Sequence, residues 1–96
     1  MEEIINNTKD QQFEIHIGDE VAYLQYRFYK KDIAMMHTKV PDAAKGKGIA
    51  SKLAQYAFEY AKKENKKVMV YCPFVSKYVK EHPELRDQLD KEYHKG

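Results

Sequence analysis

The sequence has no tryptophan, one cysteine, three prolines and four glycines among its 96 residues. Because a lone cysteine cannot form an internal disulfide, the chain is not a disulfide-stapled secreted domain, and a reducing cytoplasm is the expected location. Eight tyrosines and four phenylalanines supply apolar bulk that disordered chains lack. The length predicts a single domain over residues 1–96, with its core within about 13–90.

Neither sign of charge dominates, since 17 Lys and Arg against 15 Asp and Glu leave a net charge of +2. A dedicated nucleic-acid binder needs a concentrated positive field, so we expect no nucleic-acid partner. No apolar run approaches the ~20 residues that cross a bilayer, so we expect no membrane partner. The first ten residues are acidic and polar, with Ile4 and Ile5 as their only apolar pair, which argues against a signal peptide. The four histidines are too scattered to predict a metal site.

The first half of the chain carries strand patterns. Apolar and polar residues alternate over 13–17, and segments 21–29 and 33–40 are rich in β-branched and aromatic residues. Short connections predict an antiparallel meander. In the third segment, strict alternation places Ile33, Met35 and His37 on one face and Ala34, Met36 and Thr38 on the other.

The second half changes to helical periodicity. Apolar residues at i, i+4 spacing predict a helix from Ile49 to about Glu64, which Asn65 ends in a left-handed conformation. A short strand at 68–71 should return parallel to its origin, because strand–helix–strand crossovers normally do so. Pro73 starts a further helix, and one more short helix follows. The order β-β-β-α-β-α(-α) predicts an α+β fold with a mixed antiparallel and parallel sheet and packed helices.

The segment 45–50 carries the clearest chemical signal. Glycines allow close approach of a ligand, and a helix start presents unpaired N–H groups that suit a pyrophosphate. The segment has neither the Walker A triplet nor the third glycine of the dinucleotide fingerprint. Spacing alone therefore leaves open both a phosphate-binding loop and a plain tight turn.

This segment resembles the acyl-CoA loop of the GNAT acetyltransferase superfamily, Gln/Arg-x-x-Gly-x-Gly/Ala. Lys45 occupies the Gln/Arg position, a departure that keeps the positive charge, and Gly48 and Ala50 are the required small residues. Four motifs in order resemble YjdJ-type proteins, which are stand-alone mini-GNAT domains of about this length, and the resemblance covers roughly residues 13–90. These motifs are His37-Thr38-Lys39-Val40-Pro41, Gly46-Lys47-Gly48-Ile49-Ala50-Ser51-Lys52-Leu53, Cys72-Pro73-Phe74-Val75 and His82-Pro83-Glu84.

The resemblance implies a GNAT-like fold and an acetyl-CoA-dependent N-acetyltransferase whose amine acceptor is not identified. Backbone groups of Lys39 and Val40 would pair with the pantetheine arm, and Lys45 would add positive charge. The pyrophosphate would be held by the amides of Gly46, Lys47, Gly48, Ile49 and Ala50. This chain lacks the further elements that build the acceptor site in larger GNAT proteins. The alternative is a non-catalytic acetyl-CoA-binding or protein-interaction module, and we expect a monomer or weak dimer.

Four residues are candidate catalytic groups, each with a structural alternative. Cys72 precedes a helix and suits a nucleophile or acetyl carrier, although free cysteines are usually buried structural residues. His37 suits a general base, or is a half-buried histidine bonded to a carbonyl. Thr38 suits a donor to the acyl oxygen, or is a plain strand residue. Tyr78 is a weaker candidate for protonating the leaving thiolate and is otherwise core.

The carboxylates show no spacing that demands acid–base chemistry. We therefore expect surface positions for Glu14, Glu20, Asp32 and Glu59.

Overall fold

Strands that are neighbours in the chain are also neighbours in space. The computed structural model describes residues 3–94, so residues 1–2 and 95–96 of the predicted domain lie outside the described residues. Within that part the sheet has the order β1-β2-β3-β4-β5, with β5 parallel to β4 and the other pairs antiparallel. The elements are β1 (Ile4–Asn7), β2 (Gln12–Ile17), β3 (Glu20–Tyr29), β4 (Asp32–Lys39), α1 (Ile49–Lys63), β5 (Lys67–Val70) and α2 (Pro73–Glu81), with 3₁₀ helices at Asp42–Ala44 and Pro83–Gln88.

The predicted α+β class and mixed sheet are confirmed, but the sequence prediction lacks β1. This strand is short and half asparagine, a residue that strands disfavour. Its stability comes from tertiary contacts: it pairs with β2, and the Tyr26 hydroxyl donates a 2.6 Å hydrogen bond to Asn6 Oδ1. No local pattern encodes that partner, which lies 20 residues away.

Helix α1 forms as its periodicity predicts and covers one face of the sheet. Its buried stripe comprises Ile49, Leu53, Ala54, Ala57, Phe58 and Ala61, and the alanines let the helix lie close to the strands. Asn65 follows the helix end with φ of 58°, the left-handed conformation predicted for it. Helix α2 contributes Val75 and Val79 to the same buried cluster, so both helices lie on this face. None of the described helices is long and apolar enough to span a membrane.

Strand β4 carries a bulge at Met36. Tyr26 of β3 pairs with Met35, but the preceding residue, Gln25, pairs with His37, so the pairing skips Met36. An extra residue on one strand reverses the alternation beyond it. Odd-numbered residues before Met36 and even-numbered residues after it therefore lie on the same face of the sheet.

The bulge changes the two faces of β4. Thr38 pairs with Leu24, which is fully buried beneath α1, so Thr38 lies on the helix-covered face. His37 lies on the opposite face, with its ring 6.1 Å from that of Tyr23. The strict alternation predicted from the sequence, which placed Thr38 with Ala34 and His37 with Met35, is wrong for that reason.

Two carboxylates on the face away from the helices are buried, so their predicted surface positions are wrong. Glu14 is 7% exposed and accepts hydrogen bonds from Asn7, Gln12 and His16 at 2.6–2.9 Å. Burial alone would raise the pKa of Glu14, but these bonds outweigh it and the net pKa is lowered. The carboxylate therefore stays ionised although it lies in the sheet.

The second buried carboxylate is Asp32, which is 6% exposed at the start of β4. Burial, a hydrogen bond with Asp90 and the charge of Asp90 raise the pKa of Asp32 to about 6. Asp90 reaches this position because the chain after the second 3₁₀ helix runs along β5, where the Asp90 N–H donates to the Val68 carbonyl. Below about pH 6 the two carboxyl groups thus share a proton.

Replacement of this carboxyl should stabilise the protein at neutral pH. The folded chain holds a proton on Asp32 that the unfolded chain releases between about pH 4 and 6, so stability falls as the pH rises through that window. Asp32→Asn keeps a donor toward Asp90 without the charge. We expect its unfolding free energy to exceed that of the parent by about 1 kcal/mol at pH 7.5 and to match it near pH 4.

The measurement is urea denaturation followed by far-ultraviolet circular dichroism at both pH values. Asp87→Asn, at an exposed carboxylate, is the control and should change stability little at either pH. A loss of stability in Asp32→Asn at pH 7.5 would contradict the shared-proton interpretation.

Candidate functional site

A cleft of about 350 Å³ opens where β4 ends and α1 begins. It exists because the parallel pairing of β4 with β5 covers only Asp32 to Met35 on the β4 side. The N–H groups of Tyr71 and Cys72 both donate to the Met35 carbonyl, after which the strands diverge. The lining residues are Thr38, Val40, Ala44, Lys45, Gly46, Gly48, Ile49, Ala50, Ser51 and Phe74.

The loop before α1 is shaped for an anion. Gly46 and Gly48 have φ of 83° and 73°, in the left-handed region that side chains rarely adopt. No side chain caps the start of α1, and its first turn contains no acidic residue. The first amides of a helix lack intrahelical partners and carry partial positive charge. These amides begin beside the cleft, since Ile49 and Ala50 line it.

One lysine of the loop is partly neutralised. The Lys45 ammonium lies 2.9 Å from the carboxylate of Asp42, and this bond together with its charge lowers the pKa of Asp42. Both groups are well exposed, and such pairs contribute little to stability. Lys45 can therefore exchange Asp42 for a phosphate at small cost.

Thr38 and Cys72 come together where β4 and β5 diverge. Thr38 Oγ1 lies 3.2 Å from Cys72 Sγ although 34 residues separate them in the chain. Cys72 is the residue that precedes α2, and its side chain is 3% exposed. Both groups can donate or accept a proton, but only Thr38 lines the cleft; Cys72 lies behind it.

The other two candidate groups lie elsewhere. His37 is exposed on the opposite face of the sheet, so the strand itself stands between its ring and Thr38. Tyr78 is buried between the helices, where its ring lies 6.5 Å from Phe58 and 4.3 Å from His82, and burial raises its pKa. Tyr78 borders a different cavity and is not among the residues that line the cleft.

The last residues of β4 offer main-chain groups to the cleft. Lys39 pairs with β3 on one side, while the register with β5 ends four residues earlier, at Met35. Val40 lines the cleft directly. The sequence did not single out Phe74, which lines the opposite wall. Its position directly after Pro73 is the signal that could have identified it, because the first turn of α2 faces the gap.

Comparison with known proteins gives a consistent result. The sequence model of the GCN5-related N-acetyl-transferase family matches residues 12–88. Protein NATD1 of Xenopus tropicalis is 37% identical over 81 residues, which cover 81% of this chain and 74% of that protein. Human NATD1 is 43% identical over 63 residues, covering 65% and 56%.

A solved structure supports the same assignment. The NMR solution structure of a GCN5-like protein from Staphylococcus aureus is 26% identical and superposes with a TM-score of 0.72, covering 98% of this chain and 96% of that chain. The resemblance to small GNAT proteins is thus confirmed in both sequence and fold. The chain belongs to the GCN5-related N-acetyltransferase family.

Proposed function

We propose that this protein is an N-acetyltransferase that takes acetyl-CoA as co-substrate and transfers the acetyl group to an amine. The observation that carries the proposal is the cleft where β4 ends and α1 begins. The glycine loop before α1 and Thr38 both line it, and Thr38 Oγ1 lies 3.2 Å from Cys72 Sγ. The family supports the reaction class, and the groups that line the cleft suit the co-substrate.

The residues present fit the chemical parts of acetyl-CoA. Its pyrophosphate suits the amides of Gly46 to Ala50, because they begin an uncapped helix behind left-handed glycines. Its pantetheine arm is extended and contains amides, so it can pair with the main chain of Lys39 and Val40 as a strand would. Phe74 and Val40 supply apolar walls for the arm.

Side chains near Met35, where β4 and β5 diverge, would polarise the acyl carbonyl and transfer protons. When bound, acetyl-CoA supplies an activated thioester. Transfer breaks its C–S bond and forms a C–N bond to the amine, which gives up one proton while the CoA thiolate takes one. In this proposal the Thr38 hydroxyl polarises the acyl oxygen, and His37 accepts the amine proton from the open face. Cys72, whose Sγ lies 3.2 Å from Thr38 Oγ1, either donates the proton to the CoA thiolate or forms a thioester with the acetyl group while its own proton goes to the CoA thiolate, and then passes the acetyl group to the amine.

A second candidate function is a non-catalytic CoA-binding module. The burial of Cys72 favours it, since a side chain that is 3% exposed has little room to accept an acetyl group. The two candidates differ in turnover and not in CoA affinity. Binding and acetyl transfer must therefore be measured separately.

The loop predicts a specific binding defect. Gly48→Val forces a β-branched residue to φ of 73°, at a cost of about 1–3 kcal/mol, and should move the α1 amides enough to abolish acetyl-CoA binding in calorimetry. Gly18→Val is the matched control, because Gly18 has φ of 59° and also has open space at its Cβ position. Both variants should lose similar stability, but only Gly48→Val should lose binding. Unchanged affinity in Gly48→Val would refute the pyrophosphate assignment.

The Thr38–Cys72 pair predicts a catalytic defect with intact binding. Cys72→Ala and Thr38→Val should each lower kcat about 100-fold and leave the Kd for acetyl-CoA within about threefold, because both groups act at the thioester and not on the rest of the CoA. Thr38→Ser retains the hydroxyl and should retain most of the activity.

The acyl-carrier role of Cys72 has a separate test. Radiolabelled acetyl-CoA shows whether the wild-type protein becomes acetylated. Label that persists in Cys72→Ala would exclude this thiol as the carrier.

His37 predicts a pH-dependent defect. His37→Gln should lower kcat/KM about 100-fold at pH 7, with partial recovery at pH 9–10, where more of the amine is already deprotonated. His16→Gln is the control, since His16 is an exposed histidine on the same face that pairs with Glu14. Equal losses in both variants would contradict a role for His37 as base.

A further inference from the structure

A second cavity, of about 460 Å³, lies on the side of α2 that faces away from the cleft. Phe74 lines the cleft and Ser76 lines this cavity, and residues two apart on a helix point about 200° apart. Among residues 3–94, the two cavities share no lining residue. We call the second one the cationic pocket; it is lined by Val70, Ser76, Val79, Lys80, Arg86, Leu89, Lys91 and His94.

The pocket forms because the chain after the second 3₁₀ helix runs back along β5. Leu89 forms an isolated parallel bridge with Val68, whose carbonyl accepts the Asp90 N–H. One turn later the Val70 N–H donates to His94 Nε2 at 2.9 Å. These bonds hold the last described residues against the strand. Side chains of α2, of the 3₁₀ helix and of this tail therefore converge on one cavity.

The polar side chains of the pocket are hydrogen-bond donors. Lys80 comes from α2, Arg86 from the 3₁₀ helix and Lys91 from the tail, and the hydroxyl of Ser76 can donate as well. Burial lowers the pKa of His94, so its ring is neutral at pH 7, and its Nε2 already accepts a main-chain N–H. The remaining ring nitrogen, Nδ1, therefore carries the proton. Within residues 3–94, no carboxylate lines this pocket.

The lack of carboxylates is a result of the fold and not of the composition. Segment 81–92 contains five acidic residues, which are Glu81, Glu84, Asp87, Asp90 and Glu92. Glu84 lies 3.7 Å from His82 Nδ1, Asp90 is hydrogen-bonded with Asp32, and Asp87 lines a different cavity. The fold thus directs the acidic side chains of this segment away from its basic ones.

The three cations of the pocket have no counter-ion in the protein. In the part of the chain that the structure describes, Lys80, Arg86 and Lys91 form no ion pair. Like charges that converge on one cavity repel one another, and an anion between them removes that repulsion. The pocket therefore selects a negatively charged ligand.

Three cations favour an anion that concentrates its charge on one small group. A phosphate monoester carries about two negative charges at pH 7 and presents three acceptor oxygens. The guanidinium of Arg86 can bind two of these oxygens at once, and the lysines and Ser76 can donate to the others. Val79 and Leu89 give the pocket an apolar wall for the carbon body of the ligand. The volume is that of a small-molecule site.

We propose that the cationic pocket binds a small phosphate monoester, whose phosphate group contacts Lys80, Arg86 and Lys91. This site is separate from the cleft, and the inference does not rest on the proposed function. A ligand held there joins α2 to the tail that covers β5. Its binding should therefore also raise the midpoint of thermal unfolding.

Phenyl phosphate is the probe, because it joins a phosphate monoester to an apolar ring. In calorimetry on the full chain we expect it to bind, and we expect Arg86→Gln to raise its Kd about tenfold. Arg27→Gln is the matched control, since it removes the same charge from an exposed arginine on β3 and should change the Kd less than about twofold. Benzoate has the same ring but a single charge and should bind about tenfold more weakly than phenyl phosphate.

Amide chemical shifts of the isotope-labelled parent protein locate the probe without any variant. Phenyl phosphate should move the signals of Val70, Ser76 and His94 and leave those of Gly46 and Gly48 in place. Movement of the glycine signals instead would place the probe in the cleft. Acetyl-CoA that moves the Val70, Ser76 and His94 signals would assign the pocket to a phosphate of CoA.

Either of these shift patterns would overturn a separate phosphate site. Equal effects of the two arginine variants would overturn it too, because they would show general attraction to a basic protein. So would benzoate binding as tight as that of phenyl phosphate, or no phenyl phosphate binding at about 10 mM. Tenfold weaker binding in Arg86→Gln alone, with shifts confined to the pocket, supports the site.

Discussion

The short parallel pairing between β4 and β5 is the constraint on which the rest of the structure depends. It holds for four residues and then ends, because one carbonyl, that of Met35, accepts the N–H groups of both Tyr71 and Cys72. The chain then enters α2, whose first residue is a proline. A gap in the sheet follows directly from this arrangement. The cleft and the Thr38–Cys72 contact both lie at that gap.

The bulge at Met36 gives the two sides of the gap different chemistry. It turns Thr38 toward the helices and His37 toward the open face. In the proposed function, acetyl-CoA would meet Thr38 on the helix-covered side, and the amine would meet His37 on the open side. The main chain would make most of the contacts to acetyl-CoA. Such binding requires few side chains and would leave most of the 96 residues available for the hydrophobic core.

The local parts of the fold were predictable, and the parts that depend on pairing were not. The limits of α1, the left-handed Asn65 and the glycine loop follow from residues adjacent in the chain. The bulge does not, because strict alternation over β4 is equally compatible with its composition. Glu14 and Asp32 were expected at the surface; the first is buried by side chains of β1 and β2, and the second by the chain near Asp90. Those partners lie up to 58 residues away.

The sequence by itself determined the family, the order of most elements and the glycine loop that we propose for the pyrophosphate. Each rests on short-range patterns: periodicity, glycine and proline positions, and four motifs in order. Only the tertiary structure decided which candidate groups meet. It brings Thr38 to Cys72, separates both from Tyr78, and places His37 across the sheet. The reason is physical. The pairing register decides which face of the sheet a strand side chain points to, and the register is determined by partners that are distant in the chain.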